Sequence, residues 1–167
     1  MGNSEGSRLY NNRWMTEAHP YPNTDAYGAG DLVGTKMEFA DAIQADYGAG
    51  EIVSVVVVDK DKQSKALDLL IFTEDLAANT GAGTTWATGN NAALRVADSD
   101  AMNCIGKISV STGNYSVLSD NSIAVTTTGL PFYIKGSRSL YGLVVSRGTP
   151  TYSTDGLLIR LGIERDN

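Results

Sequence analysis

The chain has 167 residues, of which 42% are hydrophobic and 19% charged, a balance that predicts one domain with a buried core and excludes a disordered chain. The formal net charge is −6, from 13 basic and 19 acidic residues, and it argues against a nucleic-acid partner, which would select a basic face. No apolar run approaches the roughly 18 residues of a membrane span, and residues 1–15 lack a signal-peptide pattern, so we expect no membrane partner and synthesis in a cytoplasm.

Residues 1–23 are polar and rich in turn residues, and we predict an extended N-terminal arm there, followed by a single domain over 24–167. The arm is too short to build a core of its own. Its aromatic side chains are therefore candidates for docking on another surface, since aromatic residues dominate the centres of protein contacts. The candidate contacts with a partner or a sister subunit are Arg8, Tyr10, Arg13 and Trp14.

The rest of the chain alternates between apolar strand patterns and turn residues. Val55-Val56-Val57-Val58 is a β-branched run typical of a strand covered on both faces, and the segment 157–164 has one of the clearest apolar alternations. Strands are predicted at 36–41, 51–59, 67–73, 107–110, 115–118, 122–127, 131–135, 140–146 and 157–164. Residues 91–105 are the best helical candidate, and 79–91, around Trp86, is expected to be a surface loop.

About eight to ten strands with little helix predict an all-β protein. We expect an antiparallel β-sandwich, jelly-roll-like, with one short helical segment near 91–105 and the extended arm in front. A parallel α/β sheet would need a helix after most strands, and the sequence offers none at those places. The strand order itself cannot be read from the pattern.

Two segments superficially resemble ligand-binding loops. Gly28-Ala29-Gly30 lacks the third glycine of a dinucleotide loop and the strand and helix that should flank it. Asp59-Lys60-Asp61 begins like a calcium loop, but Ser64 and Leu70 stand where a glycine and a bidentate glutamate are needed. Both segments are better read as turns beside strands.

Candidate catalytic residues are equally sparse. His19, the one histidine, lies in the arm, and no Gly-x-Ser-x-Gly nucleophile motif occurs. Cys104 is the one cysteine, which excludes an intrachain disulfide and a cysteine-based metal site, and we expect it to be a buried structural thiol. We therefore predict no enzymatic activity, no cofactor and no metal.

The segment Ala26-Tyr27-Gly28-Ala29-Gly30-Asp31-Leu32-Val33-Gly34, together with 149–157 and the last strand, resembles small β-rich virion proteins of tailed bacteriophages, a group common in marine and cyanobacterial phages. Relatives often carry Ala-Tyr-Ala-Ser-Gly-Asp at the first of these places. The resemblance implies a capsid decoration (cement) protein that binds the major capsid protein on the exterior of the virion, often as a homotrimer. It also implies synthesis in the host cytoplasm.

Two other functions stay open at this point. Another virion component, such as a head fibre, a tail protein or a host-binding protein, would contact a glycan or receptor through surface loops, with 79–91 as the place to look. A small polysaccharide-active enzyme would need a pair of carboxylates, and the sequence singles out no such pair.

Overall fold

The computed structural model describes residues 12–77, 81–82 and 91–166. The strands are β1 (Arg13–Ala18), β2 (Leu32–Phe39), β3 (Tyr47–Asp59), β4 (Leu67–Phe72), β5 (Gly81–Ala82), β6 (Leu94–Arg95), β7 (Cys104–Val110), β8 (Tyr115–Val117), β9 (Ser122–Lys135), β10 (Leu140–Ser146) and β11 (Leu157–Arg165). A single helical turn, α1 (Asp98–Ala101), and a 3₁₀ turn (Thr112–Asn114) interrupt them.

The strands form two antiparallel sheets that enclose one large hydrophobic core, which confirms the predicted all-β sandwich. One sheet has five strands in the order β1-β11-β3-β9-β8, and the other has four in the order β2-β10-β4-β7. The short strands β5 and β6 pair only with each other. Strands β1 to β4, and again β9 to β11, alternate between the two large sheets as the chain proceeds.

The β-branched run of β3 is central, because this strand lies between β11 and β9. Val55 and Val57 are buried in the core between the sheets, while Val56 and Val58 point to the opposite face and are only partly covered. The expectation that both faces of this run are buried was therefore wrong for the outer face, as far as the described residues cover it.

Part of the predicted N-terminal arm, residues 1–23, is a strand of the sandwich. Arg13–Ala18 is extended, but it is extended as the edge strand β1, paired with β11 from Arg13 opposite Glu164 to Ala18 opposite Ile159. Ala18 belongs to the core between the sheets. These six residues of the predicted arm are therefore part of the sandwich, as an edge strand paired with β11.

Two other predicted boundaries differ from the structure. The strands expected at 122–127 and 131–135 are one strand, β9, which runs through Pro131. A proline is tolerated there because only one side of β9 is paired beyond residue 124, within the described residues. The helical candidate at 91–105 contains one helical turn, α1, and the short strand β6, and the chain returns to strand at Cys104.

A second hydrophobic cluster covers the outer face of the four-stranded sheet. It combines outward side chains of β2, β4 and β10 with residues from the chain between β4 and β7. Its buried members are Leu32, Phe72, Leu76 and Leu143, and Cys104 is half-buried against them. This face is thus covered by the protein's own chain, whereas the outer face of the five-stranded sheet has no such cover in the described residues.

The close contact between β2 and the segment before it gives a testable prediction. Gly34 has a φ of +76°, and a Cβ placed on it would lie 2.0 Å from the carbonyl oxygen of Pro20. Gly34→Ala must move the backbone that donates the Thr35 N–H to the same oxygen. We expect a loss of about 2–3 kcal/mol in the free energy of unfolding, measured by chemical denaturation.

Gly30→Ala is the matched control. Gly30 also has a left-handed φ of +98°, but a Cβ there meets no atom within 4 Å. The free energy of unfolding of this variant should fall by about 1 kcal/mol, because only the strain of a left-handed alanine is added. Equal losses in the two variants would show that the contact with Pro20 does not matter.

Candidate docking surface

Exposed apolar side chains concentrate at β1 and across the outer face of the five-stranded sheet. Trp14 and Met15 of β1 are 45% and 55% exposed, and Val125 of β9 is 54% exposed. Large exposed apolar side chains are individually common, but here they share one sheet. This sheet face, with β1 at its edge, is the candidate docking surface.

Trp14 is held in place by a buried cation from the other end of the chain. The guanidinium carbon of Arg165 lies 4.5 Å from the centre of the indole ring, within the range of a cation–π contact. Arg165 donates from Nε to the carbonyl oxygen of Ala42 at 3.0 Å and from a second nitrogen to the carbonyl oxygen of Asp41. Burial lowers the pKa of this guanidinium, and the charge of Asp41 acts in the opposite direction. The ring and the two carbonyls together accommodate the cation.

Two grooves flank the indole ring. The larger, of about 560 Å³, is lined by Arg13, Trp14 and Met15 from β1 and by facing residues of β3 and β11. Its floor includes Gly162, where a Cβ would lie 2.2 Å from Oγ of Ser54. The smaller groove, of about 250 Å³, lies on the other side of Trp14, where Arg138 and Arg165 line it.

The centre of the docking surface carries no net charge. One row across four strands consists of Glu17, Arg160, Val56 and Val125, in that order. Nε of Arg160 donates to a carboxylate oxygen of Glu17 at 2.8 Å, so the two charges neutralise each other. The protein as a whole has a charge of −6. A neutral apolar centre on an acidic protein suits an uncharged partner surface better than a highly charged one.

The structure brings together two of the four contact residues predicted from the sequence. Arg13 and Trp14 lie side by side on β1 and line the larger groove, while Arg8 and Tyr10 lie outside the described residues. Sequence reasoning missed Met15 and Arg165. Arg165 continues the inward alternation of Leu157 to Ile163, and a charged residue in that register was the signal for it.

The calcium-like segment is a turn in the structure. The buried carboxylate of Asp59 accepts hydrogen bonds from the backbone N–H groups of Ser64, at 2.7 Å, and Asp61, at 3.1 Å. Burial raises the pKa of Asp59, although these hydrogen bonds act against that rise. Among the residues that the structure describes, no three His, Cys, Asp or Glu side chains are grouped so that they could hold a metal ion.

His19 lies beside a surface ion pair between Lys60 and Asp155. Its Nδ1 lies 3.1 Å from Asp155, whose other oxygen lies 2.5 Å from Nζ of Lys60. These contacts join the segment after β1 to the turns that follow β3 and precede β11. They fix neighbouring loops at one end of the sandwich.

No protein-family model matches the chain, and no curated protein matches it. In the part of the chain that the structure describes, no helix is long and apolar enough to cross a membrane.

The Trp14–Arg165 contact gives a stability prediction. Trp14→Ala exposes the buried cation and removes the ring, so we expect a loss of about 1–3 kcal/mol in the free energy of unfolding, measured by urea denaturation. Trp14→Phe keeps a ring over the guanidinium and should lose less than about 1 kcal/mol. Equal losses would mean that Trp14 does not stabilise Arg165 in this way.

A buried carboxylate on the four-stranded sheet makes stability depend on pH. Asp68 accepts hydrogen bonds from Ser109 at 2.6 Å and from Arg147 at 2.6 Å, and Nζ of Lys107 lies 3.5 Å away. Burial alone would raise the pKa of Asp68, but the hydrogen bonds and positive charges outweigh it and hold the pKa below the ordinary 3.8. The stabilisation from Asp68 is therefore complete above that value and is lost as the pH falls through the lower folded-state pKa.

Asp68→Asn tests this assignment. At pH 7 the free energy of unfolding of the variant should be about 1–2 kcal/mol lower than that of wild type. The difference is modest because water screens the half-exposed Arg147. The difference from wild type should shrink as the pH falls from about 5 to 2, in denaturation curves measured across that range. Asp75→Asn removes the exposed partner of Lys36 and serves as the control, with little change expected. A difference that stays constant with pH would contradict the assignment.

Proposed function

We propose that this protein is a capsid decoration protein of a tailed bacteriophage, a structural virion protein that binds the outer surface of the capsid and stabilises it. The observation that carries the proposal is the uncovered outer face of the five-stranded sheet, which includes the exposed Met15 and Val125 and whose central row carries no net charge. The sequence resemblance supplies the class of partner, which is the major capsid protein. The proposed location is the exterior of the virion.

The order of the strands supports a finer assignment, a jelly roll. Leaving out the short β8, the sheets have the orders β1-β11-β3-β9 and β2-β10-β4-β7. Eight antiparallel strands divided in these orders between two four-stranded sheets are the arrangement of a double-sheet jelly roll, which occurs in viral capsid and lectin domains. We infer that the sandwich belongs to this group of topologies.

The physical requirements of a decoration protein agree with this surface. It must adhere to a lattice of shell subunits without chemistry, and many modest contacts repeated over a lattice give a combined affinity that a single contact lacks. An uncovered sheet face between loop-bearing ends provides such a contact. The role requires no catalysis and no cofactor, and the proposed partners are the major capsid protein and further copies of this chain, as a homotrimer.

A host-binding or tail protein is the second candidate, because lectin domains share the jelly-roll topology. Its ligand would be a glycan held by loops at an end of the sandwich. In that case binding should be lost when loops change and not when the sheet face changes. Binding to a glycan array separates the two candidates.

Introducing negative charge on the docking surface tests the proposal. A double variant, Met15→Glu with Val125→Glu, places two carboxylates where the partner should exclude water, while both positions are exposed in the free protein. We expect at least about a tenfold loss of affinity for purified heads, measured by co-sedimentation. Thermal denaturation should show that the free variant is still folded.

The control is Thr24→Glu, which adds a carboxylate at an exposed position in the chain between β1 and β2, outside the strands of this sheet. It should bind heads like the wild-type protein. Wild-type occupancy by the double variant would reject the sheet face as the docking surface, and failure of the wild-type protein to bind heads would reject the function itself.

A further inference from the structure

The outer edge of β9 is open along most of its length. On one side β9 pairs with β3 from Ser122 to Lys135, but on the other side β8 pairs only with residues 122–124. Within the described part of the chain no other strand pairs with residues 125–135 on that side. Every second residue of such an edge directs its N–H and C=O groups outward, so the edge is a row of free hydrogen-bonding groups.

A groove of about 500 Å³ lies beside this edge. Its lining includes Met102, Cys104 and Ile105 on one side and Phe132 and Tyr133 of β9 on the other. Met102 and Tyr133 are 87% and 59% exposed. An open edge next to an apolar groove is the arrangement that binds an added strand, with backbone hydrogen bonds for affinity and a pocket for side-chain selection.

We propose that this edge and groove bind residues 1–11 of a second copy of the chain as an added strand. The inference rests on the proposed function, since it specifies the contact between copies in the proposed homotrimer, for which the sequence offered Arg8 and Tyr10 as candidates. The occupant must be an extended polypeptide, because only a backbone satisfies a row of alternating donors and acceptors. Residues 1–11 contain no proline, so each can donate a backbone N–H, and they carry Leu9 and Tyr10 for an apolar groove.

The length of this segment fits the open edge. Eleven residues extend to at most about 37 Å, which is also the length of an eleven-residue edge such as 125–135. The segment precedes Arg13, which lies at the start of β1. Its last residues therefore lead into the start of β1, and it has enough chain to follow the edge.

Position in the sheet favours a second copy over the same molecule. β1 and the open part of β9 are on opposite sides of the five-stranded sheet, and the row at the start of β1 runs Arg13, Glu164, Glu51 and Pro131. To reach its own β9 edge the segment must first cross three strand spacings, about 14 Å, which uses about four residues and shortens the added strand. A neighbouring copy can present its β9 edge directly beside β1.

Such a contact joins different surfaces of the two copies. Contacts of this kind close into rings when the rotation between copies allows it, and three copies would form the proposed trimer. In a pair of identical edges both strands would carry Pro131, which lacks an N–H donor, whereas residues 1–11 contain no proline. The β9 edge is therefore better suited to residues 1–11 of another copy than to the β9 edge of that copy.

The lone cysteine in the groove allows a direct test in the full-length protein. Leu9→Cys and Tyr10→Cys are made separately and oxidised under mild conditions, so that either new thiol can form a disulfide with Cys104. Adjacent residues of a strand point to opposite faces. We expect one variant to give several-fold more cross-linked dimer and trimer than the other on non-reducing gels. The cross-links should disappear when Cys104→Ser is added.

Each outcome decides the inference. Cross-links between chains at one of the two positions support it, whereas a link confined to a single chain, seen by mass spectrometry, overturns the second copy as occupant. Equal cross-linking at both positions, or none, overturns strand addition at this groove. Head binding of the uncross-linked wild-type protein is measured separately, so the proposed function can fail or stand independently of this result.

Discussion

The need to cover both faces of each sheet governs this structure. The core between the sheets covers the inner faces, and the chain between β4 and β7 covers the outer face of the four-stranded sheet with a second hydrophobic cluster around Phe72 and Leu143. The outer face of the five-stranded sheet keeps Val56, Val58 and Val125 without equivalent cover in the described residues. Since burial of apolar area is the main source of stability and of association, the uncovered face is where binding can still contribute free energy.

The buried charges follow a consistent rule, since each is paired or hydrogen-bonded. Asp68 receives hydrogen bonds from Ser109 and Arg147, and Arg165 is held by backbone carbonyls and the ring of Trp14. Desolvated charges without partners would cost several kcal/mol each, so these contacts are conditions of folding. They also keep the surface near Trp14 in one arrangement before any partner arrives, which lowers the entropy cost of docking.

Local patterns predicted much of the fold, and long-range contacts account for what they missed. The β-branched run of β3 and the alternation of β11 have a period of two that can be read from neighbouring residues, and both strands are where the pattern put them. The pairing of β1 with β11 joins opposite ends of the chain, and Trp14 meets Arg165 only because of it. Pro131 suggested a break, but the open edge of β9 tolerates it. No local pattern contains such information.

The two edges of the five-stranded sheet have different properties, and this difference limits how copies can associate. β1 is short, charged at Arg13 and Glu17, and continues directly into the segment before it, whereas β9 is long and open beside an apolar groove. Two identical edges would favour a closed pair of subunits, while two unlike edges favour contacts that repeat around a ring. A ring formed through the edges leaves the sheet face free, so self-association and docking on a shell can use separate surfaces of the same sheet.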